Sequence, residues 1–110
     1  MRDHSRFWDE LAIKSYKTIL KQNPHIAIVH NNMGLAYLRL GRPKKAIRAF
    51  EKAIKCDRTL TEAHYHLGTT YQNLGDDKAA IRCFKNYTKL KTEKKPEESI
   101  VEDLLRKLKN

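Results

Sequence analysis

The stretch HNNMGLAYLRLG at residues 30–41 returns as HYHLGTTYQNLG at residues 64–75, with 34 residues between equivalent positions. Aligning residues 27–60 with 61–94 makes eleven positions identical, where ordinary composition would match about two by chance. The identities are His30/His64, Gly34/Gly68, Tyr37/Tyr71, Leu40/Leu74, Gly41/Gly75, Lys44/Lys78, Ala46/Ala80, Ile47/Ile81, Arg48/Arg82, Phe50/Phe84 and Lys55/Lys89. A fixed period of this length is the mark of a chain assembled from copies of one supersecondary unit, and it constrains the fold before any single residue is weighed.

Inside each copy the spacing is helical. Met33, Tyr37 and Leu40 recur at i, i+4, i+7. Gly41 then breaks the run, as a helix ending in a left-handed residue requires. A second helix starts at once, with Pro43 suited to an early helical position and Asp76 a natural N-cap in the second copy. Ala46, Ile47, Phe50, Ala53 and Ile54 form its apolar stripe, and the small residues Gly34 and Ala46 allow the two backbones to approach closely. Neither hairpin buries its stripe alone, so the hairpins must stack. The expected fold class is all-α, an antiparallel helix-hairpin solenoid. Helices are expected near residues 5–22, 26–40, 43–56, 60–74 and 77–91, with a final helix near 97–108 and no sheet.

Gly-x-x-Tyr, then Gly, then Ala-x-x-x-Phe at this period resembles the tetratricopeptide repeat (TPR). The resemblance implies a right-handed superhelix and one domain over residues 1–110. Residues 1–26 would be a half repeat, 27–60 and 61–94 full repeats, and 95–110 a capping helix. Ala12, Tyr16, Ile19 and Pro24 fall in register with Ala46, Phe50, Ala53 and Arg58, so residues 5–22 look like the second helix of a repeat. Two positions depart from the family. The aromatic expected early in the first helix is His30 and His64, and the closing Pro is Arg58 and Thr92. Thr59-x-x-Glu62 offers a capping box instead. In the last segment Pro96, Glu97 and Glu98 suit a helix start and Arg106, Lys107 and Lys109 its end, with Ile100, Val101, Leu104, Leu105 and Leu108 as the apolar face.

Composition narrows the function classes. Hydrophobic residues at 40% and charged residues at 33% suit a helical protein with a large solvated surface, and four glycines and three prolines argue against a β-sandwich. No apolar run approaches the ~18 residues of a membrane span, and the start MRDHSRFWDE has no apolar core of a secretory signal. The expected location is the cytoplasm, where Cys56 and Cys83 would be reduced, packed thiols. No nucleophile–base motif, phosphate-cradling glycine loop or catalytic carboxylate pair is present, so no enzyme activity, cofactor or metal is expected. His64 and His66 stand at i, i+2 and point to different faces. His30 and His64 read as helix-packing substitutes for the missing aromatic.

TPR arrays typically hold peptides or partner proteins in a concave groove lined by the first helices. Carried over by position, the resemblance implies groove residues Asn31, Leu35, Leu38 and Arg39, then Tyr65, Thr69, Gln72 and Asn73. Some members capture a C-terminal carboxylate with Lys, Asn and Arg. Here those positions hold Asn31, Leu35, His66, Pro96 and Ile100, which argues against a chaperone-tail clamp. The alternative partner is nucleic acid or an acidic membrane surface. The formal net charge is +10, and residues 27–60 carry eight basic against two acidic side chains. Lys14, Arg48 and Arg82 share one repeat position and Lys21, Lys55 and Lys89 another, a basic ladder on the second helices. Helix dipoles also favour basic residues near helix ends, and no aromatics interleave as stacking platforms. A third expectation is a homodimer through the N-terminal helix, where Phe7, Trp8 and Leu11 leave an apolar end surface.

Overall fold

The computed structural model describes residues 2–93 and 104–109. Five long helices follow one another: α1 (Arg2–Gln22), α2 (Ala27–Arg39), α3 (Pro43–Cys56), α4 (Thr61–Asn73) and α5 (Asp77–Glu93). Residues 104–109 are also helical, and there is no strand among the described residues. Consecutive helices pack on one another, and α2 also touches α4, so the chain stacks as an all-α helix-hairpin solenoid. Of the expected last helix, Pro96, Glu97, Glu98, Ile100 and Val101 lie outside the described residues. Leu104, Leu105 and Leu108 are described and exposed.

The two hairpin turns are built alike. Gly41 has φ +72° and Gly75 has φ +85°, a region that costs glycine nothing and side-chain-bearing residues strain. Gly41 N–H donates to Leu38 O at 3.0 Å and Arg42 N–H to Tyr37 O at 2.9 Å. Gly75 N–H to Gln72 O at 3.0 Å and Asp76 N–H to Tyr71 O at 2.9 Å repeat the pattern, closing each first helix with a Schellman motif. Pro43 opens α3, and the Asp76 carboxylate accepts the Ala79 N–H at 3.2 Å as the N-cap of α5. The turn between the repeats is made differently from the sequence expectation. No side chain caps α4, so the Thr59–Glu62 capping box does not form. Asp57 takes Thr59 instead, accepting its N–H at 2.9 Å and its hydroxyl at 2.6 Å. A local Asx-type turn has outcompeted the cap.

Ala46, Ala49, Phe50 and Ala53 of α3 are buried at i, i+3, i+4, i+7, one stripe facing inward. α2 is enclosed more completely, with Val29, His30, Asn31, Met33, Gly34, Ala36 and Tyr37 all buried, because α1, α3 and α4 all touch it. The tightest approach is between Gly34 and Phe50. A Cβ placed on Gly34 would sit 2.5 Å from the Phe50 ring, and Phe50 is 0% exposed. The 34-residue period thus places a glycine where an aromatic ring from the next helix presses on the backbone.

Candidate functional site

α2 and α4 present the surface that the repeat pattern points to. Leu35, Leu38 and Thr69 are half-buried there, and Tyr65, Gln72 and Asn73 are exposed. Asn31 and Arg39 differ from expectation. Asn31 is 0% exposed, and neither its amide nitrogen nor its oxygen has a hydrogen-bond partner within the protein, so it does not stand open on this surface. Arg39 is exposed but engaged: its Nε donates to the Asp9 carboxylate at 2.8 Å, and Asp9 is itself only 8% exposed. Nothing local in the sequence marks Asp9, an acid on α1, as the partner of an arginine at the end of α2. A nearby second tie joins Arg42 to Glu10 at 3.8 Å.

The six basic ladder residues, Lys14, Lys21, Arg48, Lys55, Arg82 and Lys89, are all exposed. The structure distributes four of them among separate hollows. Arg48 lines one of about 270 Å³ formed by α1, α2 and α3. Lys55 and Arg82 line one of about 540 Å³ formed by α3, α4 and α5. Lys89 borders a shallow apolar hollow with Ile81 and Phe84 on α5. In the larger hollow, burial pushes the Cys83 thiol above its ordinary range, with Arg82 opposing the shift and Glu51 adding to it. Burial likewise raises the Tyr71 hydroxyl, and Glu51 adds to that too. Cys83 is 7% exposed, so it is a packed thiol rather than an activated one.

Two sequence models, both described as tetratricopeptide repeat, match residues 27–60 and 49–82. The second is phased differently, starting within α3 and ending within α5, yet both rest on the same helix-hairpin period. Together they cover residues 27–82, more than half of the chain. The chain belongs to the tetratricopeptide repeat family. Among solved structures, this TPR protein is similar to MamA, at 27% identity and a TM-score of 0.77 over 78% of this chain and 50% of that one. MamA from Desulfovibrio magneticus RS-1 matches at 26% and 0.75, over 80% of this chain and 50% of that one. The chain therefore spans about half the length of the MamA structures it matches. The second TPR of Spaghetti (RPAP3), bound to the HSP90 peptide SRMEEVD, aligns with a TM-score of 0.72 at 23% identity, over 81% of this chain and 87% of that one. That likeness speaks to fold alone. Comparison by sequence with curated proteins finds no match.

The two histidines that replace the TPR aromatic have a common physical role. His30 Nε2 lies 2.8 Å from Pro24 O, and His64 Nε2 lies 3.0 Å from Arg58 O. Each ring donates to the carbonyl of the turn just before its own helix, six residues upstream. An aromatic hydrocarbon would fill the space without supplying that hydrogen bond. Both histidines are 7% exposed, so the packing role expected from the sequence holds, and the hydrogen bond is added to it.

Proposed function

We propose that this TPR protein is an interaction module that holds a peptide or partner protein along the joined surface of α2 and α4. The observation that carries the reading is the mixture on that surface. Leu35, Leu38 and Tyr65 offer apolar contact, while the exposed amides of Gln72 and Asn73 can bond an extended backbone at both its N–H and C=O groups. Family membership supports binding of a peptide or partner protein as the activity. A chaperone tail is not the proposed ligand, because the carboxylate-clamp positions hold Asn31, Leu35, His66, Pro96 and Ile100. Asn31 drops out of the proposed contact set, and Arg39 contributes only if its pair with Asp9 opens.

The test compares two triple variants in pulldowns of the natural partner from native lysate, with and without nuclease. One is Leu35→Ala, Tyr65→Ala, Gln72→Ala. The other is Lys14→Glu, Arg48→Glu, Arg82→Glu. Loss of the partner in the first and retention in the second, with mild salt dependence, is the expected result. The inverse pattern, or loss on nuclease treatment, sinks the reading.

A second copy of the chain is the proposed occupant of the apolar edge of α1. Phe7 is 59%, Trp8 62%, Leu11 41% and Ile19 43% exposed along that helix, and the Phe7 and Trp8 rings pack edge to face at 5.5 Å. Sedimentation should then show a dimer that Trp8→Glu returns to monomer. A wild-type monomer at high concentration removes the proposal.

A further inference from the structure

We propose that the hollow between α1 and α3 is a binding site for a compact, multiply charged phosphate group. Lys17 of α1 and Lys45, Arg48 and Lys52 of α3 line it, over a floor that includes Met33 and Tyr37. No carboxylate lines it. The ion pairs among the described residues involve other cations, so none of these four is held in an ion pair among them. The Lys45 ammonium lies 5.8 Å from the centroid of the Tyr37 ring, which holds one charge close to the floor. Four exposed like charges around one concavity repel one another and raise a positive potential over it. A phosphate relieves that repulsion, with arginine offering a planar fork and lysines point charges.

The repeat supplies an internal control. Shifted by 34 residues, the same furrow recurs between α3 and α5. Lys17 becomes Glu51, Met33 becomes Leu67, Tyr37 becomes Tyr71, Lys45 becomes Ala79, Arg48 stays Arg82 and Lys52 becomes Asn86. All of these except Ala79 line the second hollow. The scaffold positions are kept, while three of the four cations are replaced, one by a carboxylate. Packing therefore does not demand the cations of the first furrow. The second retains Lys55, Arg58 and Arg82 but sets Glu51 among them, so the positive charge is most concentrated in the first furrow.

That concentration, with no stacking platform beside it, favours a compact phosphate over a nucleic-acid strand. A strand needs exposed rings on which bases stack, and Tyr37 is only 7% exposed. A soluble polyphosphate and a phosphorylated lipid headgroup share the required chemistry. The site lies on residues outside the peptide-binding set proposed above, so either reading can fail alone.

The test uses the full chain and calorimetric titration with inositol hexakisphosphate near physiological salt. The variant Lys17→Glu, Lys45→Ala, Lys52→Asn gives the first furrow the residues that the second already carries. It should bind about tenfold or more weakly. The reciprocal variant Glu51→Lys, Asn86→Lys should bind more tightly than wild type. Vesicles containing phosphatidylinositol bisphosphate, against vesicles of phosphatidylserine, separate the sources. Selective vesicle binding competed by the soluble probe assigns a lipid headgroup, and binding of the soluble probe alone assigns a free polyphosphate. No binding by wild type, or equal binding by the first variant, overturns the proposal. If the first variant fails to fold, an unchanged affinity in the reciprocal variant overturns it instead. Tight binding of a single-stranded RNA oligonucleotide that inositol hexakisphosphate does not displace also overturns it, in favour of a nucleic-acid surface.

Discussion

The first full repeat and the second are written in nearly the same residues and live in different surroundings. Phe50 is 0% exposed, whereas its counterpart Phe84 is half-buried. Asn31 is 0% exposed, whereas Tyr65 at the same position is 44% exposed. Ile47 is half-buried and Ile81 is 54% exposed. The reason is stacking order. The first hairpin has α1 on one side and α4 on the other, while among the described residues nothing follows α5 in the way that α4 follows α3. A repeat position therefore carries a conformational role that travels with the sequence and a burial that does not. Burial is set by the neighbour that comes next.

The sharpest way to break that comparison is to substitute the paired glycines. A Cβ on Gly34 would meet the Phe50 ring at 2.5 Å, and one on Gly68 would meet Phe84 at 2.7 Å. The clashes are similar, and the freedom to relieve them is not. Phe50 is fully buried, while Phe84 is only half-buried. Gly34→Ala should cost about 1–3 kcal/mol as overpacking in a closed core, and Gly68→Ala clearly less. Chemical denaturation of the two variants checks this. Equal losses would show that the second repeat is as tightly enclosed as the first.

Asn31 sharpens the same contrast with the opposite sign. Its amide is buried without a hydrogen bond, and such a group carries an uncompensated desolvation cost of about 1–3 kcal/mol. Asn31→Leu is close in volume and removes the cost, so it should raise the melting temperature. Tyr65→Leu, at the exposed equivalent, removes no such cost and loses ring contacts with His66, Phe84 and Tyr87, so it should lower the melting temperature instead. A destabilised Asn31→Leu would mean that water or a partner reaches the amide.

These two positions also mark how far the sequence could be read. The helices, both Schellman turns and the Asp76 cap were legible, because each depends on residues within one turn of the chain. α3 begins and ends where periodicity placed it, at Pro43 and Cys56. What escaped depends on contacts across helices. Asn31 looked like a groove residue by position, and the packing of the stacked helices buried it. Thr59 looked like half of a capping box, and Asp57 competed for it successfully. The ladder follows single repeat positions along the chain. Lys45, Arg48 and Lys52 share a face of α3 at i, i+3, i+7, which the sequence does show. That Lys17 joins them required the placement of α1 against α3.

The smallest expected effect separates the repeats by pH. His66 stacks on Phe50 with centroids 5.7 Å apart and planes inclined by 26°, so a side chain of the second repeat closes the core of the first. The equivalent position in the first repeat is Asn32, which does not titrate. Burial holds the His66 pKa below its ordinary value of 6.5, and Glu62, one turn earlier, partly offsets this. A histidine whose folded pKa is depressed binds its proton more readily in the unfolded chain. Its contribution is thus fully present above about pH 6.5 and is lost as pH falls toward the folded value. Wild type should lose stability from pH 7 to pH 5 relative to His66→Asn, which gives the second repeat the residue the first already uses. Subtracting the two stability profiles isolates His66 from His30 and His64, whose bonds to the turn carbonyls are common to both proteins. A flat difference would mean that the imidazole is equally solvated in the folded and unfolded chains, and that the Phe50 core is closed by its own repeat rather than by the next.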